Sequence, residues 1–349
     1  MITALMTKRF CFFPIFWLLA IGVALPGCLP VLTVPQEQEL QGRTMGTTYS
    51  IKFFSQQAVD SQLLQQRVEQ ELELINDLMS TYRPASELMQ FNRQQTTEPF
   101  MISEPTAKVI AEAIRIAEQT EGVLDITIAP LVELWGFGAA GRVSERPAAA
   151  ELAAVSAYIG IDKISLTGQR LQKTEPRLAL DLSTIAKGYG VDRLAEILDS
   201  AGIKDYMVDI GGEMRVKGSK PDRPWRVAIE KPVAGDRAVQ RIITPGNMAM
   251  ATSGDYRNYF EQDGVRYSHL IDPRTAEPVQ HRTVSSTVIH PSSMTADGYA
   301  TALHIMNAAE ALQFANQHQL AALLIVKTDD GFSELASEAF KPFLVDEVR

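Results

Sequence analysis

Three short stretches of this chain gather the side chains that phosphate chemistry uses. The first is LDLSTIAKGYGVDR, residues 180–193. It sets Asp181, Ser183, Thr184 and Lys187 just ahead of Gly188 and Gly190. An apolar, strand-like run leads in and a helix-like run leads out. A helix start of this kind can hold a phosphate on its free N–H groups. Thr184 could offer a hydroxyl to a metal ion, and Lys187 could face a phosphate or pair with Asp181. The same residues also fit a structural role, with Ser183 as an N-cap and the glycines admitting a close helix neighbour. The order is not that of a P-loop, because the hydroxyls precede the lysine.

The second stretch is SHLIDPRTAEPV, residues 268–279. His269 ends a strand beside Asp272, which suits a general-base pair. Asp272 before Pro273 also fits a turn that bonds its own backbone. The third is TADGYATAL, residues 295–303. Asp297 and Thr301 are four apart and share one face of a helix. Together with Thr184 they could give a few oxygen ligands. That suits Mg²⁺, which usually keeps waters and completes its shell with substrate phosphate. Equally, Asp297 could serve the helix dipole while Thr301 packs by its methyl. Tyr82, Trp135 and Phe137 stand beside proline or glycine turns, where they could stack on a flat ring or fill a core. His281, His290, His304 and His318 form no pair at ligand spacing and take no role.

The hydrophobic pattern outlines the elements that must position these residues. Residues 44–54 alternate as a strand, and 57–79 carry Leu64, Val68, Leu72 and Ile75 at helical spacing. Ser103 and Pro105 open a helix to about residue 120. A helix at 148–158 and a strand at 161–167 follow. Strands then dominate, near 205–210, 213–217, 225–230, 238–243, 248–252, 265–270 and 283–289. A helix over 293–307, another to 317 and a strand at 320–326 complete the pattern. Helices and strands do not alternate regularly, so the fold class is α+β, a largely antiparallel sheet flanked by helices. No GxGxxG follows a strand, which excludes that dinucleotide fingerprint.

The first residues have a different character. Lys8 and Arg9 precede the uncharged run FCFFPIFWLLAIGVA, which reads as an export signal. LPGC, ending at Cys28, resembles a bacterial lipobox. That resemblance implies a signal peptide over 1–27, lipid on Cys28 and a tether over 28–41, ahead of one catalytic domain over 42–349. An ordinary signal or an uncleaved anchor would be the alternatives. Leu29 in place of an aspartate favours outer-membrane delivery by the same analogy. The only cysteines are Cys11 and Cys28, so the remaining chain can form neither an internal disulfide nor a cysteine metal cluster. The net charge of −9 argues against nucleic acid as a partner.

Taken in order, MGTTY, LMSTYRPASEL, LWGFG, LDLSTIAKGYGVD, VDIGGE, PWRVAIEKP, ATSGDYRNYF, SHLIDPRTAEPV and TADGYATAL resemble the ApbE family of FAD:protein FMN transferases. The resemblance spans about residues 42–345 and implies an ApbE-like, T-fold-related domain. It implies FAD contacts at Met45, Tyr82, Trp135, Gly136, Phe137, Asp181, Lys187 and Ile271. It implies Mg²⁺ on Thr184, Asp297 and Thr301, with Ala300 offering only its carbonyl, since some relatives carry an acid there. His269 would be the base, with Asp272 nearby. FAD would be the substrate, and its FMN half would pass to a Thr or Ser hydroxyl of a target protein with release of AMP. A Mg²⁺-dependent FAD pyrophosphatase and a non-catalytic FAD-binding lipoprotein are the competing readings. The implied acceptors are flavin-bearing subunits of Na⁺-translocating NADH:quinone oxidoreductase or Rnf-type complexes, met by a lipid-anchored enzyme on the periplasmic side of a bacterial membrane.

Overall fold

Eight strands form one sheet, and they lie side by side in chain order. They are β1 (Gln38–Thr44), β2 (Thr47–Phe54), β3 (Asp205–Ile210), β4 (Glu213–Lys217), β5 (Ala249–Gly254), β6 (Thr283–His290), β7 (Ala321–Thr328) and β8 (Gly331–Ala336). Each runs antiparallel to the next. This computed structural model describes residues 36–139, 141, 145–232, 238–254, 259–262 and 265–345. The leader, Cys28 and the tether up to residue 35 lie outside the described residues. The end of the expected tether is corrected, because Gln38–Gln41 already belong to β1. Among the described residues no helix is long and apolar enough to cross a membrane.

Helices enter the sheet order at two places. Between β2 and β3 come α1 (Ser61–Met79), α2 (Glu87–Arg93), α3 (Glu104–Gln119), α4 (Ala129–Leu134), α5 (Ala149–Ser156) and α6 (Ala186–Ser200). Between β6 and β7 come α7 (Ser293–Ile305) and α8 (Ala308–Gln317). The period-2 alternation of the strands decides which face the helices cover. Tyr49, Ile51, Phe53, Val208 and Ile210 pack under Leu64, Val68 and Leu72 of α1 and Val191, Leu194 and Leu198 of α6. The other face sends Val216, Met250, Ile289, Leu323 and Ile325 into a second core with Trp225, Val227, Ile243 and Phe340. Strand β6 is covered on both faces, and every residue of α7 is buried. The helix that carries Asp297 and Thr301 therefore runs through the interior.

Three expectations change. The strand expected over 44–54 is two strands, with Met45 and Gly46 in the left-handed region at the turn (φ 48° and 72°). The first helix starts at Ser61, where Asp60 accepts from the N–H groups of Gln62 and Leu63. The apolar run before α6 is not a strand. It is an extended segment pinned at single points: Asn92 clamps both backbone groups of Leu180 (2.7 and 2.8 Å), and the Asp181 N–H donates to the Ile126 carbonyl (2.8 Å). It has the composition of a strand but no continuous partner to form a ladder with.

One irregularity of the sheet prepares the site. Strands β4 and β5 pair only at Arg215–Ala249 and Met214–Met250. Beyond Met250, β5 continues to Gly254 against β6 alone. On the other side, β4 turns back through Gly211 and Gly212, both at positive φ. The sheet is closed at one end of this pair and splayed at the other.

Candidate active site

Where β4 and β5 part, a cleft of about 580 Å³ opens. One wall is the Asp209–Met214 turn with Thr47 and Thr48 of β2; another is the end of β5, at Thr252, Ser253 and Gly254. The floor is the junction of α6 and α7. Thr184, Lys187, Glu213, Asp297 and Thr301 all line it.

Two helices set that floor. The start of α6 has no capping side chain of its own; its N-cap is Ile185, not Ser183. Asp297, reaching from α7, takes the Gly188 N–H on its Oδ2 (2.9 Å) and fills the role. Gly188 is required here, since a Cβ would run into the Ser293 carbonyl. Lys187 pairs with Glu213 (2.6 Å), not with Asp181. The Glu213 side chain is 3% exposed, and its Oε2 is buried without a hydrogen-bond partner among the described residues. Burial and the neighbouring Asp297 push the Glu213 carboxyl up to about 8, against the pull of Lys187. Burial also raises the Asp297 carboxyl. Burial opposes charge on Lys187, but Glu213 and Asp297 outweigh it and keep the ammonium protonated. Two buried carboxyls thus share one ammonium, so the floor favours further positive charge.

The Thr184 hydroxyl is the sharpest feature. Its oxygen is buried and has no hydrogen-bond partner among the described residues. A buried orphan of this kind asks for a ligand. Thr184, Asp297 and Thr301 are hard oxygen donors that converge on one cleft, which fits Mg²⁺. Among the described residues no cluster of three His, Cys, Asp or Glu could hold a metal, so a soft or imidazole-rich centre is not the alternative.

The other end of the cleft is acidic and aromatic. Asp125, Glu133 and Asp181 line it, and burial raises the carboxyls of Asp125 and Asp181. Tyr82 is 70% exposed at its mouth. A row of rings runs from the interior to the cleft. Trp135 stacks on Tyr267 (5.5 Å), Tyr267 on Phe260 (5.1 Å) and Phe260 on Phe137 (5.7 Å). Phe137 meets His269 edge-on at 6.5 Å. These contacts brace the hairpin of Tyr259–Gln262 and Val265–Ser268, and His269 follows its last residue into the cleft.

Residues 45–324 match the ApbE family. The chain belongs to the ApbE family. A FAD:protein FMN transferase of Vibrio cholerae serotype O1 is 53% identical over 333 residues, 94% of this chain and 98% of that protein. The protein of the same name from Haemophilus influenzae is 47% identical over 311 residues, 86% of this chain and 90% of its own length. Among solved structures, the flavin transferase ApbE from Vibrio cholerae has a TM-score of 0.83 at 52% identity, covering 89% of this chain and 100% of that one. The Pseudomonas stutzeri flavinyl transferase ApbE, in its apo form, has a TM-score of 0.84 at 35% identity, covering 91% and 99%.

The ApbE resemblance singled out fourteen residues besides the lipidation site, counting base, flavin and metal contacts, and the fold divides them. Tyr82, Phe137, Asp181, Thr184, Lys187, His269, Ile271, Asp297 and Thr301 line the cleft. Five others stand behind its surface. Trp135 is fully buried and donates its indole N–H to the Ala276 carbonyl (2.9 Å), so it supports the ring row. Gly136 turns the chain after α4 at φ 75°. Met45 reaches across to Gly190 of α6. Ala300 is buried in α7, and its carbonyl already accepts the Ser286 hydroxyl (2.5 Å). Asp272 closes its own turn on the Arg274 N–H (2.9 Å) and grips that guanidinium (2.8 to 3.1 Å). Sequence reasoning missed Glu213 and Asp125. The signal for Glu213 was an acid directly after Gly211–Gly212 at the first position of a strand.

Proposed function

We propose that this protein transfers the FMN half of FAD to a Ser or Thr hydroxyl of another protein and releases AMP. The observation that carries the reading is the buried Thr184 hydroxyl, unpartnered among the described residues, beside Lys187 and the α7 face of Asp297 and Thr301. Family membership and the relatives' names support the same chemistry.

A pyrophosphate is a polyanion, and Lys187 is the one basic side chain lining the cleft among the described residues besides His269. Thr184, Asp297 and Thr301 would hold Mg²⁺. The cation would offset negative charge on the phosphates when bound. His269 would take the proton of the attacking hydroxyl, as a base whose ordinary pKa lies near neutrality. The new bond joins the acceptor oxygen to the FMN phosphorus. The bond that breaks joins that phosphorus to the bridging oxygen, which leaves with AMP. Tyr82 and Phe137 provide flat surfaces for a ring system at the mouth.

On this reading the acceptors are flavin-bearing subunits of Na⁺-translocating NADH:quinone oxidoreductase or Rnf-type complexes. The enzyme would work on the periplasmic side, held by lipid on Cys28. The test uses the mature protein, FAD, Mg²⁺ and an acceptor domain, read by intact mass with and without EDTA. An FMN-sized gain on the acceptor, lost with EDTA or with Asp297→Ala, is the expected result. Free FMN and AMP with no adduct would assign water as the nucleophile instead, and intact FAD throughout would leave a carrier.

A further inference from the structure

We propose that Asp192 is a positioning residue for the cation site, locking α7 onto α6 so that Asp297 and Thr301 meet Thr184. The inference rests on the reading of those three residues as the cation site.

Asp192 lies on α6, one turn beyond Gly188. Its carboxylate accepts four hydrogen bonds, two on each oxygen. Oδ1 takes the Arg215 guanidinium (2.7 Å) and the Ser293 N–H (3.0 Å). Oδ2 takes the Ser292 hydroxyl (2.7 Å) and the Met294 N–H (3.1 Å). Ser293 and Met294 open α7, whose first N–H groups have no partner within the helix. Asp192 therefore caps α7 from the neighbouring helix. Asp297, one turn into α7, caps α6 in return through the Gly188 N–H. Each helix start is closed by a carboxylate one turn along the other. Arg215 ties the lock to β4 and also donates to the Pro291 carbonyl (2.9 Å).

This exchange fixes the position of Asp297 relative to α6, and Thr184 lies just ahead of that helix. Mg²⁺ demands near-ideal octahedral geometry at about 2.0–2.1 Å. A small slide of α7 would spoil the donor set without unfolding the chain. An ordinary structural cap would behave differently. Its loss would lower the melting temperature but leave the metal affinity of the folded protein unchanged.

The test is Mn²⁺ binding to the full chain with saturating FAD and no acceptor, read by EPR. Asp192→Asn keeps a good capping group but loses the anionic grip on Arg215 and one acceptor. The expected result is Mn²⁺ binding weakened by about tenfold or more, with FAD affinity in EDTA changed less than twofold. Asp297→Asn is the control. Unchanged Mn²⁺ binding in Asp297→Asn would remove the cation-site reading itself. Weakened binding there with unchanged binding in Asp192→Asn would overturn the positioning role alone. Should Asp192→Asn fail to fold, Arg215→Gln takes its place, with weakening of about threefold expected and no change counting against the proposal.

Discussion

Thr184 and His304 are both buried polar residues without hydrogen-bond partners among the described residues, yet the two invite opposite treatment. Thr184 lines the cleft, where a ligand can satisfy it. Thr184→Val keeps the shape and removes the orphan. The apo protein should then melt at the same or a higher temperature, because an unmade buried hydrogen bond costs about 1–3 kcal/mol. Flavin transfer should fall at least tenfold. A variant that melts lower and still transfers would show that the hydroxyl serves the fold. His304 is fully buried, with His281 at 6.1 Å, and burial holds its ring at about 3, well below the ordinary 6.5. The neighbouring His281 and His269 rings also oppose charge on it. Between pH 6.5 and 3 the unfolded chain takes up a proton that the folded chain refuses, so stability falls as pH drops through that window. His304→Met removes the penalty. Denaturant titrations at pH 7 and pH 5 should show the variant gaining about 2 kcal/mol on the parent between those values. Equal curves at both pH values would mean that the ring finds a partner on protonation.

At the scale of elements, the contact of α6 with α7 decides the site, and two glycines on α6, one at that contact and one away from it, test it. A Cβ on Gly188 would strike the Ser293 carbonyl, which is backbone and cannot step aside. A Cβ on Gly190 would meet only the ends of the Ile210 and Met45 side chains, at 3.1 Å. Gly188→Ala should therefore cost about 1–3 kcal/mol and abolish flavin transfer. Gly190→Ala should stay within about 1 kcal/mol of the parent, helped by alanine's better helix propensity. Thermal melts of the pair check this, and similar losses in both would mean that α6 is packed as tightly against Ile210 and Met45 as against α7. The sequence made part of this legible. Alternation in DYMVDI and EMRVK marked β3 and β4, and the Asp297–Thr301 spacing marked one face of α7. It could not show that Asp192 would cap a helix about 100 residues away. Nor could it show that Lys187 would find Glu213 in place of Asp181. Such pairings are tertiary and leave no local pattern. The run before α6 misled for a related reason, because apolar β-type residues mark burial, and only a neighbouring strand makes a ladder. Trp135 and Tyr82 both sit beside turn residues. Which of them reaches the cleft was set by the distant Ala276 carbonyl.

At the scale of the molecule, the cleft gathers residues from almost every part of the chain. Thr47 comes from the first hairpin, Asp125 from the helical insertion, Glu213 and Thr252 from the two strands that part, His269 from its own hairpin and Asp297 from α7. None of these elements can unfold without dismantling the cleft. A ligand held there should therefore stabilise the fold as a whole, by RT ln(1 + [L]/Kd), or about 2.7 kcal/mol at a hundredfold excess over Kd. For a chain of this size that corresponds to roughly 4 °C in Tm. The buried carboxyls of Glu213 and Asp297 add a condition. A pyrophosphate beside them brings more negative charge to a floor that already favours cations, so FAD alone should shift Tm less than FAD with Mg²⁺. Calorimetric scans with FAD, Mg²⁺, both and neither should give one transition throughout. The shift with both should exceed the sum of the separate shifts. Asp297→Asn should bring the combined shift down to the level of FAD alone. A transition that splits on adding FAD would mean that the ligand holds only part of the cleft, and additive shifts would mean that cation and flavin occupy separate sites.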